Sequence, residues 1–101
     1  MRVTEVQVNA RELLVFDGTV LELFGFGNEA HRFHIRQEPT IDFVPASKGG
    51  LFTSSITHGP QLRVGAKGSG GFTFDLDEVR RTEVEQLILH LAEASAARAS
   101  E

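Results

Sequence analysis

The chain carries four histidines and no cysteine, and those two facts limit its site chemistry. Without cysteine there is no disulfide framework, no thiolate nucleophile and no zinc site built on sulfur. His31 and His34 are three residues apart, and odd spacing on a strand sends the two side chains to opposite faces, so they do not read as a ligand pair. His58 falls at a turn and His90 in a helical segment, with nothing in the sequence to bring either to the others. Ser54 or Ser55 with His58 and Asp42 supplies the residue types of a nucleophilic triad. No nucleophile elbow or pair of oxyanion donors accompanies them. The expectation is therefore no catalytic residue, no metal ligand and no cofactor.

Two glycine patterns have the look of phosphate loops. Gly25-Phe26-Gly27-Asn28-Glu29-Ala30 fits the loose G-x-G-x-x-G/A dinucleotide pattern. That pattern works only when a helix comes next, because pyrophosphate sits on the helix N-terminus. The next segment, Arg32-Phe33-His34-Ile35, alternates as a strand, so the glycines read as a hairpin loop. Gly65-Ala66-Lys67-Gly68-Ser69-Gly70-Gly71 lacks the G-x-x-x-x-G-K-[ST] spacing and reads as a connection between strands.

The nearest feature to a basic patch is the row Arg32, His34 and Arg36, expected outward on one strand face. Neighbours on such a face lie ~7 Å apart, close enough to address one carboxylate or phosphate together. With Lys48, Arg63 and Lys67 this row is the candidate interaction surface, for an acidic partner or a lipid headgroup. An exposed row of charge also keeps a sheet edge from pairing.

The overall balance opposes a nucleic-acid role. Fourteen acidic against ten basic residues give the 101-residue chain a net charge of -4, without the electrostatic footprint that nucleic-acid binders need. All eight aromatic residues are Phe, which suits a core better than a wet binding surface. No signal peptide is visible, and the longest wholly apolar run, Leu13 to Phe16, is far short of the ~20 residues needed to span a bilayer. Cytoplasmic residence is the expectation.

These residues need elements to position them, and the chain changes character near residue 75. Before it, short β-like runs separated by Gly, Pro, Asn and Asp are expected as strands at Arg2 to Val8, Leu13 to Phe16 (apolar on both faces), Thr19 to Phe24, Arg32 to Arg36, Ile41 to Phe43, Leu51 to Thr57, Leu62 to Val64 and Phe72 to Phe74. Asp17-Gly18 between two apolar runs signals a hairpin with a type I′ turn. After residue 75, Val84, Leu87, Ile88 and Leu91 mark one apolar stripe of an amphipathic helix over about 82–97, with 98–101 as a frayed tail. Thr82 and Glu85 fit a capping box, and Asp77 offers a start one turn earlier.

About seven short antiparallel strands followed by one C-terminal helix is the element order of the pleckstrin-homology-like (PH-like) superfold. The sequence resembles small bacterial PH-like domains at Leu14-Val15-Phe16-Asp17-Gly18-Thr19-Val20, at His31-Arg32-Phe33-His34-Ile35 leading to Ile41-Asp42-Phe43-Val44, at Gly50-Leu51-Phe52, and at Gly71-Phe72-Thr73-Phe74-Asp75. The resemblance implies a single domain over 1–101: a mostly β, bent antiparallel sheet or partly open barrel capped by the helix. Lipid-binding members of the family cluster basic residues in the first loop, where this chain has only Arg11.

The functional expectation is a non-catalytic module that acts through protein–protein contact, self-association included. One alternative is peripheral binding to anionic lipid through the Arg32, His34 and Arg36 face. Another is a small-ligand binding protein or enzyme that uses a cavity between sheet and helix.

Overall fold

The computed structural model describes residues 2–26, 29–48, 56–68 and 70–99. Seven antiparallel strands form two sheets that do not close on each other. The first sheet is a meander of β1 (Thr4–Gln7), β2 (Leu13–Phe16), β3 (Val20–Phe26) and β4 (Glu29–His34) in sequential order. The second is ordered β5 (Pro39–Val44), β8 (Gln61–Ala66), β9 (Gly71–Asp75). Between β5 and β8 the chain makes a separate ribbon of β6 (Ser47–Lys48) and β7 (Ile56–His58). A 3-10 turn at Glu78–Arg80 leads into the helix α1 (Arg81–Ala99). None of the helices among the described residues is long and apolar enough to cross a membrane. Most of the expected strand at Leu51 to Thr57 lies outside the described residues.

Alternation builds the core. Val6, Leu14, Phe16, Leu21 and Leu23 project from one face of the first sheet and are almost wholly buried. Leu62, Val64 and Phe74 come from the second sheet, and Val84, Leu87 and Leu91 from α1. Complete burial of a Leu, Val or Phe side chain contributes about 1.5–3 kcal/mol, so this three-way contact dominates the energetics. The helix packs mainly on β1 and β2.

Local chemistry departs from the sequence reading at three turns. The first hairpin is centred on Gly18 and Thr19, one residue later than the Asp-Gly signal implies. Gly18 has φ +97°, while Asp17 stays at negative φ. One positive φ at the first central position is the type II′ requirement, in place of type I′. Asp17 instead accepts hydrogen bonds from the amides of Thr19 and Val20, both at 2.8 Å. Those two amides hold its carboxyl below the ordinary 3.8.

The second departure is at the end of β4. The alternation expected to run through Arg36 stops at His34, and Ile35–Gln37 form a 3-10 turn. The His34 Nδ1 accepts from the Arg36 amide at 3.1 Å, and the Gln37 Oε1 accepts from the His34 amide at 2.7 Å. Ile35 is buried as the pattern implied, but by turning inward rather than by staying on a strand. The third departure is the helix start. Thr82 already lies inside α1, so the Thr82–Glu85 capping box does not form at its N-terminus. Asp77, the earlier start, accepts from the Val79 amide at 3.3 Å. The helix then runs two residues beyond Ala97, to Ala99.

Gly25 lies at the register shift between Phe24 and Phe26, with φ +117°. A Cβ there would overlap the carbonyl oxygen of Arg11. Gly68 also has positive φ, +78°, but faces open space. Gly25→Ala is therefore expected to destabilise the protein by about 3 kcal/mol, against about 1 kcal/mol for Gly68→Ala. Urea denaturation of the two variants checks this, and equal losses would contradict the close approach at Gly25.

Candidate functional site

The six basic residues of the candidate surface do not form one continuous cationic face. Arg32 lies across from Glu22 on β3 and donates to its carboxylate at 2.9 Å. Lys67 pairs with Glu38 at 3.3 Å. His34 is used in capping the 3-10 turn. Arg36 has left the strand for that turn, which breaks the expected row of three. Arg63 is exposed on β8 in the other sheet, between Asp42 of β5 and Thr73 of β9. Lys48 belongs to the ribbon, and its side chain lies outside the described residues.

The histidines are likewise dispersed. His31 stacks on Phe72 with ring centroids 4.2 Å apart, while His34 serves the turn, so the two have different surroundings as their spacing implied. Among the described residues no three His, Asp or Glu side chains converge as a metal site. Ser54, Ser55 and the His58 side chain lie outside those residues. The glycine pattern at Gly25 is followed by β4 rather than a helix.

His90 is the histidine that the sequence reading undervalued. It is 5% exposed, with Nδ1 and the Thr4 Oγ1 2.8 Å apart. Its ring meets Phe16 edge-on at 4.7 Å. The signal was present in the spacing, since His90 comes three residues after Leu87 on the helix and so falls beside the apolar stripe. Burial, reinforced by the positive charge of Arg2, lowers the His90 pKa below the ordinary 6.5, while Glu93 and Asp17 offset part of the shift. The arrangement places a neutral imidazole in the core with a hydroxyl partner, which is a structural role.

Among the described residues, two clefts offer places for a ligand. One, of about 320 Å³, lies where the β1–β2 connection and Gly25 near the end of β3 meet the second sheet, and Arg11, Glu12, Gln61, Thr73 and Asp75 are among its walls. Glu12 is nearly buried there, held by Asn9. The Asn9 side chain also accepts from the Arg11 and Glu12 amides and donates to the Asp75 carbonyl at 2.6 Å. The other cleft, of about 350 Å³, lies at the opposite ends of β3 and β4, with walls that include Thr19, His34, Arg36 and Arg98. Arg98 lies within α1, seven residues after Leu91 on the same helical face.

No protein-family model, curated protein or solved structure matches the chain.

The depressed His90 pKa fixes the sign of a pH effect. As pH falls, the unfolded chain takes up the proton first, so the contribution of His90 is complete above pH 6.5 and declines below it. Urea midpoints are expected to fall between about pH 7 and 5, and this limb is expected to flatten in His90→Gln. A parallel pH profile in that variant would exclude His90 as its source. Thr4→Val, which removes the hydroxyl, is expected to lower stability by about 1–3 kcal/mol.

Proposed function

We propose that the chain is a PH-like, non-catalytic interaction module that acts by protein–protein contact, with association between its own copies as the basic case. Seven antiparallel strands in a four-plus-three order, followed by the helix, support the PH-like assignment. A fold of this kind hosts many functions, so the site has to choose among them.

The observation that carries the reading is the β6–β7 ribbon. It continues the β5–β8 pair, since Val44 opposes Gln61 and Ser47 opposes His58. No third strand joins the ribbon among the described residues. A strand edge of this kind presents unpaired N–H and C=O groups, the groups through which one sheet adds a strand from another chain. Membrane binding through a continuous Arg32, His34 and Arg36 face draws no equivalent support, because Arg32 is paired with Glu22 and Arg36 lies in the 3-10 turn.

Light scattering across a dilution series is expected to give an apparent mass that rises with concentration. A variant in which residues 47–58 are replaced by Asn-Gly keeps the β5–β8 register with a two-residue turn and is expected to remain monomeric. A full-length chain that stays monomeric at high concentration would overturn self-association, and an unchanged mass profile in the shortened variant would remove the ribbon from it.

A further inference from the structure

Four of the eight arginines are held by carboxylates. Arg2 pairs with Glu93, Arg32 with Glu22, Arg80 with Glu83 and Arg81 with Glu78. Among the described residues, Arg11, Arg36, Arg63 and Arg98 make no ion pair. In a chain of net charge -4, unpaired cations would be expected apart from one another. Arg36 and Arg98 instead line one cleft, the former from the 3-10 turn after β4 and the latter from the last turn of α1.

The remaining walls suit an oxyanion. No acidic side chain is among them. Asp17, the nearest acid in the chain to the Gly18-Thr19 wall, is engaged by two backbone amides. The Thr19 hydroxyl is a donor. Because the His34 Nδ1 accepts the Arg36 amide, a neutral His34 ring carries its proton on Nε2, where it too can donate. Ile35, Ala94 and Ala97 supply apolar wall beside these groups. Opposing this, the carbonyl end of a helix disfavours an anion. Two guanidinium groups, each able to bind an oxyanion through paired N–H donors, outweigh that partial charge.

We propose that the cleft between the Gly18-Thr19 turn, the Ile35–Gln37 turn and the end of α1 binds a phosphate group, held between Arg36 and Arg98. The two positive charges match a phosphate dianion better than a single carboxylate, and the apolar wall accommodates a short carbon substituent. The carrier is either a small phosphorylated molecule or a phospholipid headgroup. This site is separate from the β6–β7 ribbon and stands whether or not the chain self-associates.

The test is a titration of the folded chain with inorganic phosphate and with glycerol phosphate, monitored by amide NMR at constant ionic strength. Saturable shifts are expected at Thr19, Ile35, Arg36 and Ala97. Arg36→Ala and Arg98→Ala are each expected to weaken binding about fivefold, near the upper end for an exposed charge pair. The double variant is expected to weaken it about twenty-five-fold, while Arg63→Ala, which removes an unpaired arginine elsewhere, leaves it unchanged. Both arginines are exposed, and the amide spectrum of each variant verifies its fold. Cosedimentation with phosphatidylcholine vesicles containing phosphatidic acid separates the sources. Pelleting that the double variant loses assigns the headgroup, and saturable binding without pelleting assigns the small molecule. Shifts that never saturate, or that saturate at the same concentration in the double variant, overturn the proposal.

Discussion

Burial of the α1 stripe in one core with two sheets that do not close is the constraint on which the rest of the molecule depends. An open pair of sheets leaves its inner faces exposed unless a third element covers them. Val84 and Leu87 are fully buried and Leu91 nearly so. They share one buried cluster with side chains from both sheets, Val6 of β1 and Phe74 of β9 included. Removal of this contact would expose Phe16 and Leu14 to water at about 25 cal/mol per Å² of apolar surface. The exposed ion pairs along the helix are too well solvated to replace it.

The same contact explains the polar detail. With α1 laid on β1, Thr4 and His90 face each other across the boundary and satisfy one another at 2.8 Å. The chain before the helix is fixed in turn: the Asp77 amide donates to the Val8 carbonyl and the Leu76 amide to the Pro60 carbonyl. Those bonds join the first sheet, the second sheet and the helix entry. At its other end the helix delivers Arg98 to the turns after β2 and β4. Ligand chemistry at that end is thus a consequence of where the helix stops.

Much of the fold was legible because it arises from local pattern. Phe33 on its alternating run and Val84, Leu87 and Leu91 on the helix are buried at the periods of a strand and a helix. Leu13 to Phe16, by contrast, is apolar on both faces, and only sheet packing selects Leu14 and Phe16 as the inward pair. The candidate site was much less legible. The outward row Arg32, His34 and Arg36 assumes that the strand continues, yet the chain turns at Ile35 because the His34 and Gln37 side chains cap a 3-10 turn there. Whether Arg32 is a free cation depends on Glu22, ten residues away on the neighbouring strand, and no one-dimensional pattern contains that register. His90 and Arg98 carried a readable helical phase, but their roles depend on what lies opposite.

The amino-acid sequence alone established a cysteine-free, mildly acidic chain of short antiparallel strands ending in an amphipathic helix. Backbone periodicity and turn preferences act over a few residues, so these features survive without tertiary information. The pairing of charges, the burial of His90 and the placing of Arg36 and Arg98 on one cleft arise from contacts between residues many positions apart. Such contacts are set by sheet register and by the seating of the helix, so they belonged to the tertiary structure.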